Sequence, residues 1–99
     1  GNLLAFIRMD GAFHMSLETS LRKARTAACY REPSGGLLEG VDIKLALGTD
    51  GQRINLPGGL PIIIDGHCIG GVGVGSGTGE QDLEVAAAAI AAISGCQTF

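Results

Sequence analysis

The sequence predicts an α+β domain, a mainly antiparallel sheet layered between helices (α/β/α), over residues 1–99 as a single unit. Three observations predict it. Residues 57–82, PGGLPIIIDGHCIGGVGVGSGTGEQD, run without a break through an apolar stretch, a two-residue turn, a glycine-alternating stretch and a capped helix start. Two segments with helical signals, 16–30 and 83–93, stand on either side of it. The resulting order (β, α, mixed, β, β, α) contains no linker and no internal repeat.

Gly1-Asn2 reads as the second half of a hairpin turn, and Leu3 to Met9 as a strand that is apolar apart from Arg8, closed by Asp10-Gly11-Ala12. A first strand that begins on a turn residue implies an earlier strand to turn from. Ser16 is the expected N-cap of the first helix, with Glu18 in its first turn. Leu17, Leu21, Ala24 and Ala28 share one face at helical spacing, and Arg22, Lys23 and Arg25 lie off it. The helix should stop near Tyr30, because Pro33 disfavours helix at the residue before it. Ser34-Gly35-Gly36 is a loop. Leu37 to Leu47 is ambiguous, with room for a helical turn and then a short strand; Thr49-Asp50-Gly51 is a turn, and Arg53 to Leu56 is a brief extended piece.

In the central unit Pro61 to Ile64 is a strand, and Asp65-Gly66 a tight hairpin turn, since both residues tolerate positive φ. Cys68 to Val74 is the return strand, and Gly75 to Gly79 a glycine-rich corner. Thr78 followed by Gln81 is a capping-box pattern, with Glu80 and Asp82 at the positive end of the helix. Leu83 to Ile93 is an alanine-rich helix suited to close packing on a sheet, with Gly95 as its stop.

Composition narrows the function classes. The chain has a net charge of −3, three Phe, one Tyr, no Trp and no basic run, which argues against a nucleic-acid surface. No apolar stretch approaches the roughly 20 residues of a membrane span. The longest, Leu56 to Val74, is interrupted by Asp65 and His67. No secretory signal is visible. Three cysteines, Cys29, Cys68 and Cys96, have no metal-type spacing. They read as free thiols in a reducing, cytoplasmic compartment rather than as a disulfide scaffold.

The glycine-rich stretch does not match a dinucleotide or phosphate-loop motif. From Gly71, Gly73 or Gly75 the sixth position is Ser76, Thr78 or Glu80. The capped helix start has free N–H groups that could hold an anion, but Glu80 and Asp82 already bring negative charge there. His14 and His67 are the only imidazoles. His67 reads as a solvated turn residue. Two readings of His14 stand open, an ordinary loop histidine and a single axial ligand to a haem iron. Arg8, Lys23 and Arg25 are either solvated cations or a basic rim for carboxylates. Ser34 has no base at a recognisable spacing, and no G-x-S-x-G motif is present.

In combination, GNLLAFIRMDGA, LRKARTAA, LPGGLPIIIDGHCIGGVGVGSGTGEQD and the Ala-rich helix resemble the GlcG/HbpS family, the haem-degrading-domain group that also includes the C-terminal domain of PduO. The likeness runs from Gly1 to about Ile93. Lys23, Ala24, Thr26 and Ala27 match its K-A-x-T-A helix. Pro57, Gly58, Gly59, Pro61 and Ile62 match its P-G-G-x-P-I turn, Asp65-Gly66 its hairpin, and Gly70, Gly73 and Val74 its G-x-G-V strand. The resemblance implies a GlcG-like, profilin-like fold, an antiparallel sheet of about five strands flanked by helices, working as a homo-oligomer. It also implies a haem-binding or haem-degrading role. In one branch a threonine hydroxyl is tied to the haem iron; the matching pair here is Pro33-Ser34, which keeps the hydroxyl and loses the methyl.

Members of the family usually open with a helix and a strand ending in a D-x-x-G-N turn, and this chain starts at the Gly-Asn of that turn. The resemblance therefore implies a segment that is absent from this polypeptide or supplied by another chain, an open apolar edge at Leu3 to Met9, and association.

The expected ligand is haem, in a pocket between the first helix, the Pro33-Ser34 loop and the glycine-rich strand Gly71–Gly73. Arg8, Lys23 or Arg25 would face the propionates, and His14 or Ser34 the iron, with His14 the metal ligand. Two alternatives carry different tests. One is an enzyme, or an accessory in a corrinoid pathway, acting on a small hydroxy- or keto-acid through Arg8, Lys23, Arg25 and Asp65. The other is a structural assembly subunit.

Overall fold

The turn Asp65-Gly66 adopts positive φ at both residues (51° and 77°), the geometry that lets two strands fold back with their natural twist. It joins β1 (Gly59–Ile64) to β2 (His67–Gly73) in an antiparallel hairpin. A computed structural model describes residues 1–99, and around this hairpin it places three helices, α1 (Met15–Tyr30), α2 (Val41–Gly48) and α3 (Gly79–Ala91).

Strand alternation separates the two helix layers. Leu60, Ile62 and Val72 point to one face, where Leu60 packs with Ala86 and Ile90 of α3. Gly59, Gly71 and Gly73 turn to the other face, where a Cβ would run into the carbonyls of Lys23, Ala24 and Ser20 on α1. The sheet thus lies between α1 and α3, as the layered α+β class requires. Leu60 and Ile90 are fully buried, each contributing about 1.5–3 kcal/mol by burial.

β2 contains a bulge. Ile62 pairs with Gly70 but Ile63 pairs with Cys68, so Ile69 has no partner and is largely exposed. Helix α3 begins with a complete capping box: Thr78 accepts from the Gln81 N–H, and the Gln81 side chain accepts from the Thr78 N–H.

Several expectations are corrected. Leu3 to Met9 is not a strand of the sheet. The chain there makes no ladder, and the sheet has two strands, not about five. A strand needs a partner edge within hydrogen-bond reach, and Asn2 to Arg8 has no backbone hydrogen bond at all. Ser16 is not the N-cap of α1; His14 occupies that position without a side-chain cap bond. The buried face of α1 is Ser20, Lys23, Thr26 and Ala27 rather than the Leu17-to-Ala28 stripe, and Lys23 is on it, not off it. Close approach to a glycine-surfaced strand selects small or internally bonded side chains over bulky ones. Leu37 to Leu47 holds no strand; from Val41 it is helix. Helix α3 ends at Ala91, two residues before Ile93.

Helix α2 buries none of its residues and touches no other helix or strand. Its flanks hold it: Asn55 accepts from the Leu37 N–H and donates to the Leu37 carbonyl, and its amide also reaches Asp42. The Ile43 N–H, first among several donors that include the Asn55 side chain and the Gly40 N–H, holds the Asp42 carboxyl below its ordinary value.

Candidate functional site

Three places in the fold collect the polar and unusual side chains. The first is a buried ion pair beneath the glycine corner. Lys23 Nζ donates to Asp82 Oδ2 and to the Val74 carbonyl, both at 2.9 Å, and Asp82 Oδ1 accepts from the Gly77 N–H at 2.9 Å. Both side chains are about 95% buried. Each end of the pair is satisfied twice, so the arrangement ties α1 to the corner that starts α3.

The second is Ser34. Its hydroxyl donates to the Leu56 carbonyl (2.5 Å) and accepts from the Gly59 N–H (2.9 Å), while its own N–H reaches the Gly59 carbonyl (2.9 Å). The side chain is buried and closes the 34–59 loop onto β1.

The third is the surface made by residues 1–16. It is pinned at both ends. Arg25 Nε holds the Gly1 carbonyl at 2.8 Å, and the Phe13 N–H donates to Ser76 Oγ at 3.1 Å. Between these pins a continuous groove separates the segment from β2. Its narrower part, about 510 Å³, lies between Leu3–Phe6 and Ile69–Gly73, with Leu21 and Ala24 alongside. The wider part, about 740 Å³, runs from Ala5–Ala12 to Val72–Ser76, with Val85 and Ala89 of α3 on its flank. At the far end the Met9-to-Ala12 turn leads into Phe13, His14 and Met15, all exposed. The His14 side chain has no hydrogen-bond partner.

A family model described as haem degrading protein HbpS-like matches residues 1–91. The chain belongs to the HbpS-like family. This HbpS-like chain is 42% identical over 95 residues to an uncharacterized 15.0 kDa protein from the dhaT-dhaS intergenic region of Citrobacter freundii, covering 91% of this chain and 67% of that protein. It is 42% identical over 75 residues to GlcG of Escherichia coli K12, covering 75% of this chain and 56% of GlcG. Among solved structures, that of a PduOC:heme complex superposes with a TM-score of 0.83 at 33% identity, over 93% of this chain and 70% of that one. The chain therefore spans roughly half to two thirds of the two curated relatives.

Within the HbpS-like chain the seven residues named from the sequence do not form one cluster. Arg8 lines the wider part of the groove, and Arg25 the narrower end, where its Nη1 also donates to Gln52 Oε1 at 2.6 Å. Gly71 and Gly73 border the groove while their missing side chains make room for α1. His14 stands exposed beyond the groove's wider end. Lys23 and Ser34 are interior residues whose polar atoms are already engaged. Asp65, named for a small acid, is in the hairpin turn, apart from Arg8 and Arg25, so these groups do not converge on one carboxylate. No three His, Cys, Asp or Glu side chains gather to hold a metal ion, and Cys29, Cys68 and Cys96 are unpaired. No helix is long and apolar enough to cross a membrane.

Sequence reasoning missed Asp82 as the partner of Lys23. A signal was present: Ser20, Lys23 and Ala27 at spacings of three and four form a face of small residues around one lysine, which a buried carboxylate must answer.

Proposed function

We propose that this chain is a haem-binding protein of the HbpS-like family that works as an oligomer, with the Met9-to-Met15 corner as its haem contact. The observation that carries the reading is the likeness over nearly the whole chain to a domain solved as a haem complex.

The local chemistry fits. His14 offers an imidazole that bonds nothing else, and an axial haem ligand needs one such free ring nitrogen. Met9, Phe13 and Met15 surround it in sequence and expose apolar surface suited to a macrocycle face. Arg8 is one residue from that corner and supplies a cation for a propionate. Bound haem would supply a redox-active iron; the chain's part is to ligate, orient and partly shield it. An exposed corner covers only one face of a planar ring. A second copy covering the other face gives the oligomer a functional reason, and the exposed Leu4, Ile7 and Leu38 give it apolar surface to bury.

Titration with haemin tests this. A Soret band should saturate at a fixed stoichiometry, and His14→Ala should weaken binding by tenfold or more, about 1.4 kcal/mol. Ser34→Ala, once shown to be folded, should bind normally. Absence of a Soret shift, or an unchanged His14→Ala titration, overturns the proposal.

A further inference from the structure

The corner from Gly75 to Gly79 has glycine where the fold needs room and serine where it needs an unusual backbone. Neither Gly75 nor Gly77 has a positive φ. They are glycine for space: a Cβ at Gly75 would come to 3.0 Å from Ser16, and one at Gly77 to 2.8 Å from the Asp82 carboxylate. Ser76 stands between them with φ at 82°. That is the left-handed region, which suits glycine and crowds any residue with a Cβ. The other three non-glycine residues of positive φ sit where such a backbone is routine. Asp50 and Asp65 open Asp-Gly turns, and Arg31 closes α1. Ser76 does neither.

Its hydroxyl has one partner. Ser76 Oγ accepts from the Phe13 N–H at 3.1 Å. Every other hydrogen bond of residues 9–15 is local, such as Ala12 N–H to the Met9 carbonyl and Leu17 N–H to the His14 carbonyl. The Ser76 bond alone ties the Met9-to-Met15 corner to a distant part of the fold. The chain on either side of Ser76 is itself fixed. Gly75 lies against Ser16 in the first turn of α1, and the Gly77 N–H is held by Asp82, the partner of Lys23. We infer that Ser76 is a positioning residue for the haem contact, its hydroxyl holding the Met9-to-Phe13 turn in one orientation beside His14. The inference rests on the haem reading above.

His14 is set by α1, whose N-cap it is, and Ser76 does not touch it. What Ser76 sets is where Arg8, Met9 and Phe13 stand around that imidazole. Without the hydroxyl the turn can pivot at Phe13, and its side chains must then be ordered each time a ligand binds, which weakens binding. Stability gives no reason for the serine. The bond to Phe13 is exposed, and an exposed neutral hydrogen bond adds no more than a left-handed serine costs. A residue kept for folding alone would be glycine, like both of its neighbours. Strain at a residue whose only contact leads to a ligand corner is the pattern expected of a site held in advance.

Two substitutions separate the hydroxyl from the strain. Ser76→Gly removes both, and Ser76→Ala removes the hydroxyl and keeps the strain. Ser76→Gly should melt at or above the parent, and Ser76→Ala below both. Amide hydrogen exchange at Phe13 should quicken by about tenfold in both variants, with the amides in the middle of α1 unchanged. Haemin should bind both variants about tenfold more weakly than the parent. The Soret band of each complex should keep the parent's wavelength, because His14 is still the ligand, whereas His14→Ala should shift it. A tie that served only folding would lower the melting temperature and the haemin affinity of Ser76→Gly together. Unchanged exchange at Phe13, unchanged haemin affinity of Ser76→Gly, or a Ser76→Gly melting temperature below the parent's overturns this inference alone. A parent chain that binds no haemin overturns the haem reading and this inference with it.

Discussion

Asp82→Ala is the sharpest test of how this domain is held together. The substitution removes two charge-assisted hydrogen bonds, Lys23 Nζ to Oδ2 and the Gly77 N–H to Oδ1, both at 2.9 Å. It leaves the Lys23 ammonium, about 95% buried, with the Val74 carbonyl as its one partner. Hydrogen bonds to charged groups contribute about 1.5–3 kcal/mol each, and stranding one member of a buried pair costs about 3–5 kcal/mol. The two estimates agree. For a domain of this size that is a fall in melting temperature of about 12 °C or more, and a large part of a total stability of about 5–15 kcal/mol. Thermal and urea melts of Asp82→Ala, Lys23→Met and the double variant Lys23→Met/Asp82→Leu give the full comparison. The single variants should be strongly destabilised. The double should recover most of the loss, because an apolar pair leaves no charge uncompensated. Single variants within 1 kcal/mol of the parent, or a double variant as unstable as the sum of the singles, would refute the reasoning.

Two further outcomes follow from the same coordinates. Gly73→Ala should prevent stable folding or cost about 3 kcal/mol or more, since its Cβ would overlap the Ser20 carbonyl of α1. Gly36→Ala, with open space around it, should be neutral in the same melts. Asp42 has its carboxyl held below the ordinary value near about 4 by the Ile43 N–H first. Its contribution is therefore present above the unfolded value and disappears as pH falls through the lower folded value. The difference in melting temperature between the parent and Asp42→Ala should shrink below about pH 4, and a difference that grows on acidification would contradict the sign.

The elements that rest on local chemistry were legible in the sequence. Asp65-Gly66 could only be a turn of positive φ, Thr78 and Gln81 stand at capping-box spacing, and the glycines of β2 announced a close neighbour. What remained hidden depends on distant partners. Lys23 looks like a surface cation until Asp82, 59 residues away, is brought beside it. Ser34 looks like a loop hydroxyl until Leu56 and Gly59 fold over it. The bulge at Ile69 leaves no mark in an alternating apolar pattern. Leu3 to Met9 has the composition of a strand, but a ladder is a property of two edges and composition describes one. Of the candidate site, the place of His14 just before a helix was readable; the groove was not, because its walls are two remote stretches of chain.

The meshing of α1 with β2 also governs how the domain moves. The Ser20 and Ala24 carbonyls are one helical step of four residues apart, about 6 Å, and they seat against Gly73 and Gly71, two strand residues or about 6.6 Å apart. The two spacings nearly coincide, so helix and strand engage like teeth on a rack. Sliding by half a step would unseat both carbonyls from the two positions whose missing side chains admit them, which disfavours small shear between helix and strand. A displacement of β2 is therefore passed to α1 at these two contacts.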